Sequence, residues 1–220
     1  MNSCRDAIES QLTHLLGYGG NGSRSRFRER PLKEIAKLQT GIAKGKVYPP
    51  NVPVIELPYL RVANVQDGYL DLGEMKTIVL PKANEERYLL QDGDVIICEG
   101  GNFDQVGRGA IWRGEVANCV HQNHIFCLRA DRSVLIPEFL ALQLGSRYGK
   151  RYFLGCAKKT SNLASINSTQ VKAFPFQLPT LAEQRRFVVE FDALDSARME
   201  LESHIAASRG MCNALTEAFT

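Results

Sequence analysis
The chain has 220 residues, 44% of them hydrophobic and 23% charged, with a net charge of +3. That suits one large globular domain, or one of about 150 to 180 residues with an appendage. No apolar run reaches the roughly 18 residues of a membrane-spanning helix, and MNSCRDAIESQLTHLL lacks the basic-then-apolar order of a signal peptide, so neither is expected.

Charge and cysteine are unevenly placed. Residues 24–46 carry eight Lys and Arg against Glu29 and Glu34, and residues 147–159 add Arg147, Lys150, Arg151, Lys158 and Lys159 with no acid. Residues 181–220 hold four arginines against seven acids. Two basic zones and an acidic tail suggest a polyanion on one surface and a different partner elsewhere. The six cysteines, at 4, 98, 119, 127, 156 and 212, form no CxxC pair, which predicts free thiols in a reducing cytosol.

In chain order, Ile8, Leu12, Leu15 and Leu16 predict a short amphipathic helix over 3–16, and GYGGNGSRS then makes a flexible linker. PLKEIAKLQTGIAKGK reads as a short helix ending near a glycine loop. From there the texture is strands and turns. LPYLRVANVQDGYLDL reads as two strands about Gln-Asp-Gly, followed by strands in KTIVL, YLLQDGDVIICEGG, GAIWRGE and NCVHQNHIFCLR. Pro137 opens a helix over PEFLALQLGSRYGKRYF. KKTSNLASINSTQ is a polar loop, and the prolines of FPFQLP keep it extended.

The last element is a long helix. Thr180 and Glu183 fit a capping box. Phe187, Phe191, Leu194, Leu201, Ile205, Cys212 and Leu215 recur at spacings of four and three, interrupted at Arg198 and Ser208. This is a coiled-coil-like seam roughly 50–60 Å long at 1.5 Å per residue. A domain of this size cannot cover it along its whole length, so a second helix is expected. The division is therefore 1–24 for the helix and linker, 25–178 for the globular domain and 179–220 for the rod, in a mixed α/β (α+β) fold.

Several motifs suggest chemistry and fail on inspection. GIAKGKV lacks one spacer of a phosphate loop, and Val47 stands where a magnesium-binding hydroxyl is needed. LGYGGNG follows a helix rather than a strand. Asp71, Glu74 and Lys76 crowd one turn, whereas a two-carboxylate magnesium site draws on neighbouring strands. Cys119, His121, His124 and Cys127 offer four zinc ligands, but on one strand His124 faces away from the other three. Neither a catalytic group nor a metal site is expected. A small nuclease or methyltransferase, or a protein-only adaptor or decoy, stays open as an alternative.

Three separated blocks carry a resemblance. LPYLRVANVQDGYLDL, then GDVIICEGGNFDQVGRGAIWRGEV with NCVHQNHIF, then SNLASINSTQVKAFPFQLPTLAEQRR together resemble the DNA-specificity subunit of type I restriction–modification systems, over residues 27 to 215 or so. The resemblance implies a non-catalytic subunit that reads one half of a split double-stranded DNA target. It implies a cytoplasmic, prokaryotic setting and docking of a modification (methyltransferase) subunit and an ATP-dependent restriction subunit. S-adenosylmethionine, ATP and magnesium would sit on those partners and no cofactor on this chain. Family members usually carry two recognition domains and two antiparallel helices. This chain has one of each, as a half-subunit, a fragment or a truncated gene product would, and a homodimer through the helix would restore the pair. For base and phosphate contacts the loops offer Lys44, Lys46, Arg61, Asn64, Gln66, Asn102, Gln105, Arg108, Gln122, Asn123, Lys158, Lys159, Ser161 and Asn162. For the seam the candidates are Phe187, Phe191, Leu194, Leu201, Ile205 and Leu215.

Overall fold
A computed structural model describes residues 27–103, 105–160 and 163–218, with side chains as far as Met211. The predicted helix 3–16 and the glycine linker lie outside the described residues, as do Ser161, Asn162 and the side chain of Leu215. The strands are β1 (Arg28–Pro31), β2 (Ala36–Thr40), β3 (Val54–Leu60), β4 (Lys76–Pro81), β5 (Val95–Cys98), β6 (Gly100–Gly101), β7 (Gly109–Ile111), β8 (Val120–His121), β9 (Ile125–Ala130), β10 (Lys158–Lys159), β11 (Ala164–Ser165) and β12 (Pro175–Leu178). The helices are α1 (Glu85–Tyr88), α2 (Pro137–Gly145), α3 (Arg147–Cys156), α4 (Ser168–Lys172) and α5 (Leu181–Ala218).

The central sheet is antiparallel, in the order β2-β9-β5-β7. Strand side chains alternate between faces. Val95, Ile97, Phe126 and Leu128 therefore enter one core, with Phe139, Phe153, Phe174, Phe176 and Phe187. Their neighbours Ile96, Cys98, Ile125 and Cys127 enter a second core with Leu60, Val65 and Trp112. Both faces being covered, VIIC and IFCL are continuous apolar runs rather than alternating ones. A second sheet, β4-β3-β8, packs a smaller core of Ile42, Leu57, Tyr59, Leu80 and Val120. A small sheet, β10-β11-β6, and the antiparallel pair β1-β12 complete the head. That pair, in the register Arg28↔Leu178 to Pro31↔Pro175, sets the incoming chain beside the chain leading to α5.

Five segments differ from expectation. PLKEIAKLQTG forms a 3-10 turn, Leu32–Glu34, and then β2 rather than a helix. Leu32, Ile35 and Ala36 are all buried, and their helix-like spacing is met by the turn, while β9 recruits the rest as a strand. The second strand of LPYLRVANVQDGYLDL shrinks to one bridge, Val65↔Leu70, after a 3-10 turn at Val62–Asn64. NCVHQNHIFCLR is divided between β8 and β9, in different sheets, by a turn closed by Ile125 N–H to Gln122 O at 3.0 Å. KKTSNLASINSTQ, expected as a loop, holds β10, β11 and α4, the helix capped reciprocally by Asn167 and Gln170. The helix begun by Pro137 also breaks at Ser146, whose hydroxyl accepts from Gly149 N–H at 3.3 Å to start α3.

The start of α5 is as read. Thr180 N–H donates to Glu183 Oε2 at 3.0 Å, and Glu183 N–H to Thr180 Oγ1 at 3.3 Å. Gln184, fully buried, donates to the carbonyls of Val134 and Pro179 and accepts from Ile136 N–H, tying the first turn to α2. Phe187 stacks on Phe139 and meets Phe27 edge-on, with centroids at 5.7 and 6.0 Å. Phe187, read as part of the seam, is thus 1% exposed and belongs to the head's own core. Beyond Arg198 every side chain described on the helix is exposed. Its 38 residues reach about 57 Å.

Candidate nucleic-acid interface
Five connections converge at one edge of the sheets. After β2, Ile42 N–H donates to His121 O at 2.8 Å and Ile42 O accepts from Asn123 N–H at 3.0 Å. Gly41 makes this approach possible, because a Cβ there would lie 2.1 Å from His121 O. Gln122 N–H donates to Leu60 O, and Gln122 Oε1 accepts from Val62 N–H, joining the connection after β3. Arg108 Nη2 donates to Val62 O at 3.1 Å, bringing in the loop after β6. Glu99 N–H donates to His124 O and Glu99 O accepts from Ile166 N–H, while β11 pairs with β6, so the β10–β11 hairpin joins too.

The candidate side chains divide into two groups. Asn64 is buried; its Oδ1 accepts from Arg61 N–H and its Nδ2 donates to the carbonyls of Asp71 and Glu74. Arg61 donates to Glu74 O and pairs with the Glu74 carboxylate, and Gln66 donates to Ala63 O. With Arg108 and Gln122 these residues hold the connections together. Lys44, Lys46, Asn102, Lys158 and Lys159 are exposed, and Gln105 and Asn123 half-exposed. Sequence reasoning missed the hydrogen bond between His124 Nδ1 and Glu99 Oε2 at 2.7 Å, and the exposed apolar side chains of Phe103 and Leu163. No local pattern marks the pair, whose members are 25 residues apart. Phe103 and Leu163 were legible only as hydrophobic residues in polar loops.

The basic zones do not each form one surface. Arg30 pairs with Glu34 at 2.7 Å, and Lys33 and Lys37 lie at the β2 end facing Arg129–Asp131. Lys44 and Lys46 lie beyond the other end, five strand residues or about 16 Å away. In the second zone, Lys150 pairs with Asp67.

The other motifs become structural. Asp71 caps Gly73 N–H at 3.1 Å, and Glu74 pairs with Lys76 at 3.4 Å. Burial pushes the Cys119 thiol up to about 12, raises Cys127 well above its usual range and lowers His121 to about 4. These are poor conditions for metal-ligating thiolates. Among the described residues no three of His, Cys, Asp and Glu converge so as to hold a metal ion. Nor, among them, is any helix long and apolar enough to cross a membrane.

Polar loops gathered at one edge of a scaffold with three cores, with a rod extending past it, are an arrangement suited to a recognition module. The chain belongs to the family described as the type I restriction modification DNA specificity domain, whose pattern it matches over residues 25–208. It is 27% identical over 191 residues to a Methanocaldococcus jannaschii protein assigned as the type I restriction enzyme MjaX specificity subunit, an alignment covering 84% of this chain and 44% of that one. It is 23% identical over 183 residues to the type I restriction enzyme EcoKI specificity subunit of Escherichia coli K12, covering 82% and 39%. It therefore spans less than half the length of these curated relatives. The fold is shared with the crystallised HsdS subunit of Thermoanaerobacter tengcongensis, with TM-score 0.60 and 19% identity over 92% of this chain and 46% of that one. It is also shared with a chain from a study of complex assembly in the type I R-M system, with TM-score 0.66 and 18% identity over 97% and 50%.

Proposed function
We propose that the chain is a non-catalytic, sequence-specific DNA-binding specificity subunit of a cytoplasmic type I restriction–modification complex. Residues 25–178 read one half of a bipartite duplex target, and 179–220 dock the modification and restriction subunits. S-adenosylmethionine, ATP and magnesium act on those partners. The observation that carries this reading is the convergence of five connections bearing exposed Lys44, Lys46, Asn102, Lys158 and Lys159, in a chain of this family. Lysines supply phosphate contacts for affinity and register, and amides supply base-edge contacts for sequence.

A second copy is the proposed partner for the rod. Phe191, Leu194, Leu201 and Ile205 keep the stripe the sequence shows, and Leu194, Leu201 and Ile205 are exposed within this chain. Two antiparallel rods would present two heads to two inverted half-sites, with the rod setting the spacer.

The test is binding of a selected target and of random duplex across a range of salt, with the modification subunit present. Preference for the selected target is expected. The variants K44A, K46A, K158A and K159A should each flatten the log–log salt slope by roughly 0.9 where a phosphate contact is lost. Equal affinity for every duplex would overturn the reading, as would turnover of DNA by the purified chain alone.

A further inference from the structure
We propose that Phe103 and Leu163 form an apolar contact for thymine methyl groups in the major groove, so that this edge of the loop cluster selects A·T pairs. The inference rests on the DNA-reading function proposed above and names a specificity determinant within it. Phe103, two residues after β6, is 39% exposed, and Leu163, just before β11, is 56% exposed. β6 and β11 pair antiparallel with Gly101 opposite Ala164, so the chain running out to Phe103 and the chain running in from Leu163 meet the same end of that pair. Backbone hydrogen bonds fix both segments: Gln105 N–H to Asn102 O at 2.9 Å behind Phe103, and Thr160 N–H to Leu163 O at 2.8 Å across the hairpin.

The surroundings favour duplex DNA as the occupant. Lys158 and Lys159 are exposed on the hairpin that carries Leu163 and supply charge complementary to a phosphate backbone. Asn102 and Gln105 bracket Phe103, and amide side chains pair with adenine N6 and N7. The partner base in that pair presents a C5-methyl group in the same groove. Amides beside an apolar side chain thus match both halves of one A·T pair, whereas G·C offers no methyl group to cover.

The experiment uses the assembled complex and its selected target, with deoxyuridine replacing thymine one position at a time to remove the methyl group alone. Wild type, F103A, L163A and the double variant are compared, with their folding checked by circular dichroism. In wild type, one or two thymines of the half-site are expected to cost on the order of fourfold each in affinity when the methyl is removed. The double variant should lose that affinity on the thymine target, become indifferent to deoxyuridine and keep the wild-type salt slope. Indifference of wild type to every deoxyuridine, undiminished sensitivity in the double variant, or a half-site without thymine overturns the proposal while leaving sequence reading intact. So does a loss in the double variant that does not depend on the methyl, as a wedge between base pairs or a protein contact would give. Failure of wild type to prefer any sequence overturns the parent reading itself.

Discussion
Two buried polar groups set the behaviour of single residues in the head. Asp94 is 1% exposed and takes a two-pronged bond from Arg129, Nε to Oδ1 and Nη2 to Oδ2, both at 2.7 Å. Arg129 is one third exposed and can reach water once its partner is gone, so the loss is that of the charged hydrogen bonds, and D94A should lose about 1.5–3 kcal/mol in urea unfolding. Close to this pair, no hydrogen bond of normal geometry reaches either ring nitrogen of His121. The backbone of Gln122 and Ile125 and the Asp94 carboxylate favour its protonation, but burial dominates and lowers its pKa from 6.5 to about 4. The folded chain thus binds fewer protons here than the unfolded chain between those values. This contribution is fully present above pH 6.5 and is lost as pH falls towards 4. It amounts to roughly 3 kcal/mol. Denaturation at pH 7.5 and at pH 5 should show the loss in wild type and a smaller one in H121F, whose ring does not titrate. The burial of His121 was not legible in sequence, because it depends on partners brought in by the fold; Asn64, whose sequence context suits a scaffold position as well as a DNA contact, takes the scaffold role through bonds to Arg61, Asp71 and Glu74.

At the scale of elements, α5 is one helix with two environments. Its first turns are fixed by the Thr180–Glu183 box, by Gln184 and by Phe187. T180A should cost about 1 kcal/mol in thermal or urea unfolding, and F187A about 3–5 kcal/mol. L201A, on the exposed length, should leave the unfolding of an isolated chain unchanged. The box and the helix were legible because capping and periodicity are local. The placing of Phe187 was not, since a stripe does not say which of its members face the chain's own core. β5 and β9 were legible from their apolar runs, and β12 from its prolines. β2 was not: Leu32, Ile35 and Ala36 fit a helical face until β9 pairs with the residues that follow. Of the loop cluster, the sequence showed the residue types, but the division into structural and exposed members came from hydrogen bonds spanning up to 60 residues.

For the whole molecule, the division between head and rod governs association. In the proposed assembly the exposed stripe is covered by a second helix, and L194D or I205D would bury an unpaired carboxylate at a cost of several kcal/mol. Light scattering should show wild type at twice the chain mass and each variant at the chain mass, with no change in the unfolding of the head. An unchanged mass in both variants, together with unchanged capture of the modification subunit, counts against the stripe as the interface.

The pairing of β1 with β12 has a further result. Because the first and last strands of the head are neighbours, with Arg28 opposite Leu178, the head opens and closes at one doorway. Another head with the same doorway could be fitted to the same shaft without altering the shaft's length or the grip at its base. In the proposed assembly, what is recognised and how far apart recognition occurs would thereby be kept as independent settings of the machine.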